Sequence, residues 1–199
     1  MILLEKLKSY NIILASASPR RQKLLKLLNI DFETRALENH EEIYQDEMTG
    51  AEISMFLARQ KSENFSCELA ENQILITADT IVYKDEEVLH KPKNESQAVD
   101  LLKQLSGKSH FVYTGICLRN PKLKYNFVSE TKVTFDTLSE EEIYYYIQTC
   151  NPYDKAGGYG IQEWIGLIAV KELKGSYFNV MGLPVQRLFR ELEIFINKL

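Results

Sequence analysis

No two cysteines in this chain stand at C-x-x-C spacing. Cys67, Cys117 and Cys150 are odd in number and far apart, which excludes a disulfide framework and a thiolate zinc site and fits reduced cysteines of a cytoplasmic protein. The N-terminal stretch Met1-Ile2-Leu3-Leu4-Glu5-Lys6-Leu7-Lys8 lacks the uninterrupted apolar segment of a signal peptide. No run elsewhere approaches the ~18 apolar residues that cross a bilayer, so no membrane partner is expected. Internal repeats, low-complexity tracts and long linkers are missing as well. Positive charge is not in excess: 24 Lys and Arg against 28 Asp and Glu give a net charge of −4. That balance opposes nucleic-acid binding, which needs an extended cationic face. A Walker-type glycine loop is also absent.

What is present is 199 residues, 45% of them hydrophobic, enough to bury a core as one domain or two small lobes. The apolar run Ile12-Ile13-Leu14-Ala15 predicts a strand over 11–16, followed by a helix over 19–29 and a short strand over 31–36. After an acidic loop from Glu38 to Glu47, Thr49-Gly50-Ala51-Glu52 is a capping box that starts a helix to about 68. Strands are expected at 73–78 and 81–83, with Asp79-Thr80 between them, and a helix from Asn94 to Leu105. Residues 109–118 and 127–137 read as two long antiparallel strands joined across Asn120-Pro121. Ser139-Glu140-Glu141-Glu142 caps a helix to about 149. A glycine-dense loop, strands over 165–172 and 176–180, and a helix from Pro184 complete one mixed α/β unit.

The chemistry concentrates in a few places. In Ser16-Ala17-Ser18-Pro19-Arg20-Arg21, Ser18 is a good N-cap and Pro19 suits the first helical position. Arg20 and Arg21 then stand in the first turn, where the helix dipole and free N–H groups already concentrate positive charge, so an anion is expected there. A solvated basic helix start is the plainer alternative. Asp79, after a buried-looking strand, could hold a metal or activate water in a crevice beyond the strand end, or could simply bond its own turn. Lys91, before Pro92, projects from an extended backbone. Lys61 on its helix is by itself an ordinary surface lysine, and Glu41 and Glu42 are solvated charges unless they ligate magnesium. In Asp154-Lys155-Ala156-Gly157-Gly158-Tyr159-Gly160-Ile161-Gln162, the glycines allow close approach of backbone to a ligand. Gln162 offers a donor and an acceptor that match a pyrimidine edge, although an incidental glutamine on a glycine-rich hairpin is the alternative.

Taken together, these segments resemble the Maf family of nucleoside triphosphate pyrophosphatases, also called septum formation inhibitor Maf-like proteins. The resemblance spans nearly the whole chain and rests on Ser16 to Arg21, Ala58 to Lys61, Ala78-Asp79-Thr80, Lys91-Pro92, Leu105-Ser106-Gly107, Thr114-Gly115, Asp154 to Gln162, Gly175-Ser176-Tyr177, Asn179-Val180 and Gly182-Leu183-Pro184. The segment ending in Gln162 is similar to that of the branch hydrolysing dTTP and UTP to the monophosphate and pyrophosphate. The resemblance implies an inosine triphosphatase-like α/β fold, a mixed, elongated, twisted sheet flanked by helices, with residues 1–199 forming one domain of two lobes around a central cleft. It implies Asp79 as the general base, and Arg20, Thr80 and Gln162 as the residues that set substrate choice. Ser16, Arg21, Lys61 and Lys91 would line the phosphate site, and a divalent cation, Mg²⁺ or Mn²⁺, would sit on Glu42 and Asp79, with Glu41 as the competing neighbour. The implied partner is a nucleoside triphosphate rather than nucleic acid or membrane, and a homodimer is compatible with it. One departure stands out: Glu163-Trp164 follow Gln162 where the family usually has glycine. The family's older name carries a second reading, a nucleotide-binding regulator of cell division with little turnover, which a pyrophosphate-release assay separates from the first.

Overall fold

The computed structural model describes residues 2–36, 43–45 and 47–199. Within them the order is α1 (Leu3–Leu7), β1 (Asn11–Leu14), α2 (Pro19–Lys26), β2 (Phe32–Thr34), α3 (Gly50–Glu63), β3 (Gln73–Lys84), β4 (Glu87–Leu89), α4 (Glu95–Leu105), β5 (Ser109–Asn120) and β6 (Leu123–Phe135). There follow α5 (Glu140–Cys150), two 3-10 turns at Pro152–Asp154 and Ala156–Gly158, α6 (Trp164–Ala169), β7 (Val170–Lys174), α7 (Tyr177–Met181) and α8 (Val185–Ile196). The strands form one mixed sheet in the order β2-β1-β3-β5-β6-β7, with β4 also pairing β3. β1 runs parallel to β2 and β3, and the other pairings are antiparallel. The mixed α/β sheet flanked by helices is the class the sequence indicates.

The register of β3 creates the feature that matters most. β1 pairs β3 only as far as Leu14 with Ile76, and β4 joins β3 only from Val82 onward, while β5 pairs it from Leu75 to Tyr83. Residues 77–81 therefore face a gap in the sheet on the side where β1 has ended and β4 has not begun. Asp79 and Thr80 lie in that gap. The expected break in the strand at these residues does not occur, because pairing with β5 carries the extended backbone straight through them. The crevice thus opens beside the middle of β3, beyond the end of β1.

α3 crosses the sheet over the same region. Its N-terminus is fixed by the anticipated capping box, in which Thr49 N–H donates to Glu52 Oε2 at 2.8 Å and Glu52 N–H to Thr49 Oγ1 at 3.5 Å. It ends at Glu63, earlier than the expected residue 68. Gly115 on β5 permits the crossing, since a Cβ there would lie 2.2 Å from Ser54 O. Thr77 Oγ1 donates to Ala58 O at 2.7 Å and pins the helix to β3.

Two large apolar clusters lie under these elements. One gathers β1, α2, α8 and the first half of β3 around Leu14, Leu25, Ile76 and Leu188. The other gathers α4, α5, α6 and the glycine loop around Leu102, Phe135, Ile147 and Ile161. The segments expected as strands at 165–172 and 176–180 are instead α6 running into β7, and α7. A short apolar run cannot distinguish helix from strand by periodicity, and here local caps decide. Ser176 Oγ accepts from Asn179 N–H at 3.3 Å, and Gly182, with φ 114°, ends α7. The N-terminal helix α1, absent from the sequence reading, packs Leu3 and Leu7 into the first cluster. No helix among the described residues is long and apolar enough to cross a membrane.

One buried titratable group has a measurable consequence. His110 is fully buried on β5, its Nε2 2.7 Å from Tyr159 Oη. Burial, reinforced by the Lys84 charge, pushes its pKa from 6.5 down to about 3. The unfolded chain takes up this proton below pH 6.5 and the folded chain does not, so stability is held above that pH and falls as pH drops toward 3. Between pH 6.5 and 5 the expected loss is about 2 kcal/mol. A His110→Gln protein should show a flatter urea midpoint over that interval than the parent, and equal slopes would remove His110 from the account.

Candidate active site

The gap in the sheet opens into a cleft of about 870 Å³. Ser16, Arg20, Arg21, Lys61, Asp79, Thr80, Lys91 and Gln162 all line it. These residues come from the β1–α2 turn, α3, β3, the segment after β4 and the glycine loop, so the topology alone brings them together. Glu41 and Glu42, the expected metal carboxylates, lie outside the described residues.

Asp79 is 5% exposed, and its Oδ1 pairs with Lys61 Nζ. That contact follows from the fold: Gly115 and Thr77 set the height of α3, and Lys61 falls in its last turn above β3. Ser18 caps α2 as expected, accepting from Arg21 N–H at 3.5 Å, and its N–H donates to Ser16 Oγ at 3.2 Å.

The two arginines behave differently from each other. Arg21 Nε donates to Gly182 O at 2.9 Å, Nη1 to Ala78 O at 2.8 Å and Nη2 to Thr80 Oγ1 at 3.0 Å. Ala78 lies on the gapped side of β3, so the guanidinium serves a carbonyl that a neighbouring strand would otherwise serve. Arg21 therefore ties α2 to β3 and to the turn after α7 while lining the cleft. Thr80 is drawn into the same network, its Oγ1 standing 3.0 Å from Thr114 Oγ1.

Arg20 Nη1 instead donates to Asp154 Oδ2 at 2.7 Å, across from α2 to the turn that precedes the glycine loop. Burial raises the Asp154 carboxyl, but hydrogen bonds from Lys155 and Arg20 outweigh it and hold the group below its ordinary value. This pairing, 134 residues apart in sequence, has no local signal. Gly157 and Gly158 take φ of 67° and 71°, a left-handed turn that Cβ-bearing residues enter only at a cost. The loop then presents Gln162 to the cleft. Asn179, which the sequence marks only within the Asn179-Val180 motif, is fully buried, and its Nδ2 donates to Val112 O and Thr131 Oγ1, each at 3.0 Å. Its backbone O accepts from Thr114 Oγ1 at 3.2 Å. Asn179 thus supports the strand pair behind Thr80.

A cleft with cations on several walls and a buried carboxylate at its floor suits a polyanion and a hydrolytic step. A family model described as Maf-like protein matches residues 11–195. The chain belongs to the Maf-like family. Among curated relatives, the dTTP/UTP pyrophosphatase of Bacteroides thetaiotaomicron is 47% identical over 191 residues, covering 96% of this chain and 99% of that protein. The dTTP/UTP pyrophosphatase of Phocaeicola vulgatus is 50% identical over 191 residues, with the same coverage of 96% and 99%. A solved nucleoside-triphosphatase / dITP/XTP pyrophosphatase from Mycobacterium abscessus aligns with 93% of this chain and 98% of its own at 13% identity and a TM-score of 0.43, a likeness too low to carry weight.

Proposed function

We propose that this Maf-like protein hydrolyses dTTP and UTP to the nucleoside monophosphate and pyrophosphate, acting as one catalytic unit over residues 1–199 whose two lobes flank the cleft. The observation that carries this reading is the meeting of Arg20, Lys61, Lys91, Asp79 and Gln162 on one cleft. The names of the curated relatives support it.

Asp79 is the general base in this reading. It is buried at the sheet gap, where its carboxylate can take a proton from a water placed against the α-phosphorus. Lys61, paired with Asp79, has a stronger partner in a triphosphate, and its transfer to phosphate oxygen leaves Asp79 Oδ1 to the water. Arg20 and Lys91 add charge along the phosphates, Arg21 holds the wall behind them, and Ser16 offers a hydroxyl at the helix N-terminus.

Among the described residues no cluster of three His, Cys, Asp or Glu could hold a metal by itself. Hard divalent cations on triphosphates need only one or two protein carboxylates, because phosphate oxygens and water complete the shell. The donor set therefore fits with Asp79 as the described ligand and Glu42 as the expected second. Bound there, the cation supplies neutralisation of the phosphate charge.

Gln162 reads the pyrimidine edge with its paired donor and acceptor. Gln162→Leu keeps the bulk and removes both atoms. Discrimination in kcat/KM for UTP over CTP and GTP should then shrink by about 1–3 kcal/mol, measured across a panel of nucleoside triphosphates. An unchanged ratio would make Gln162 structural, and a purine preference in the parent would overturn the substrate assignment.

A further inference from the structure

A run of alternating charges leads from Arg20 to Glu163, the residue that follows Gln162. From Arg20 it passes to Asp154, and Lys155 Nζ then donates to Asp154 Oδ1 at 2.7 Å while standing 3.1 Å from Glu163 Oε1. Glu163 Oε2 in turn accepts from the hydroxyl of the fully buried Tyr146. That hydroxyl accepts from Gly160 N–H at 3.0 Å. Lys155 is the centre of this run: its side chain is only 8% exposed and is shared between two carboxylates.

Gln162 sits between the buried Ile161 and the anchored Glu163, whose N–H donates to Gly160 O at 3.0 Å. Its amide lies against the same turn, since a Cβ on Gly160 would fall 2.7 Å from Gln162 Nε2. Without the ammonium, Asp154 and Glu163 face each other as like charges, and the half-buried Glu163 carboxylate loses a cationic partner. Both the Arg20 anchor and the loop under Gln162 would then relax.

We propose that Lys155 is a positioning residue for substrate choice, holding Arg20 through Asp154 and Gln162 through Glu163 in one fixed relation across the cleft. This rests on the reading of Arg20 and Gln162 as the groups that select the nucleotide. It also gives a role to Glu163, the residue at which the chain departs from the usual family pattern.

Lys155→Met preserves length and removes the charge. The kcat/KM ratio for UTP over CTP should fall about tenfold, mainly through KM for UTP, and the side-chain NMR signals of the Gln162 amide and Arg20 Nε–H should move. Lys155→Arg should bring the ratio back to within about threefold of the parent. Glu163→Gln, which retains a hydrogen-bonding oxygen toward Tyr146, should give an intermediate fall and serves as the test should Lys155→Met not fold. Unaltered ratio and signals in these variants, with only the melting temperature lowered, would overturn the proposal. If the parent hydrolyses no nucleoside triphosphate, the reading of the cleft fails separately. The NMR signals, which need no turnover, then still decide whether Lys155 holds the two side chains, and unmoved signals overturn the proposal.

Discussion

An Asp79→Asn protein should turn UTP over about 10²–10⁴-fold more slowly than the parent, the usual contribution of a positioned general base, while binding UTP within about tenfold. The amide keeps the shape of the side chain and its place at the gap beside β3, so the cleft is not remodelled. It cannot take the proton of an attacking water. Affinity is spared for a second reason: the substitution removes a negative charge from the wall of the cleft, which lessens the repulsion of a polyanion. Single-turnover rates beside equilibrium titration separate the two effects. Parent-like turnover would remove Asp79 from the base role, and collapse of binding with intact folding would recast it as a binding group.

The second large effect concerns stability and reaches the site through the backbone. In Gly115→Val the new Cβ would lie 2.2 Å from Ser54 O and 2.5 Å from Met55 N, so α3 must lift from the sheet. Overpacking against backbone costs about 3 kcal/mol or more, which in a domain of this size lowers the melting temperature by about 6–12 °C. Because α3 also carries Lys61 over Asp79, the surviving folded protein should lose activity as well. A Gly115→Val protein that melts within a degree or two of the parent would show that the crossing of α3 over β5 is not as tight as described.

Much of this was legible in the sequence, and the parts that were not share a cause. The capping boxes at Thr49 and Ser139 and the N-cap at Ser18 are specified by residues within a few positions of one another, and they occur where expected; the β5–β6 pair forms across Asn120-Pro121 as expected, but β6 runs from Leu123 to Phe135 rather than over 127–137. The α6 and α7 segments are short apolar runs whose helical form depends on Ser176, Gly182 and the turn at Glu163 rather than on periodicity. The continuity of β3 through Asp79-Thr80 depends on β5, a strand later in the chain, so a local reading places a break there. At the site, motif order named the cleft residues. It did not foresee that Arg21 would serve Ala78 O and Gly182 O, that Arg20 would reach Asp154, or that Lys155 and Tyr146 would hold Glu163. Those partners lie far apart in sequence, and only the closed fold sets them at hydrogen-bond distance.

In the proposed reaction, water activated at Asp79 attacks the α-phosphorus of a pyrimidine nucleoside triphosphate. Hydrolysis of UTP in ¹⁸O-enriched water, with the products resolved by mass spectrometry, tests it most directly. The expected products are UMP carrying one heavy oxygen and unlabelled pyrophosphate in equal amounts. Label in pyrophosphate, or release of orthophosphate with UDP, would place the attack on another phosphorus and contradict it.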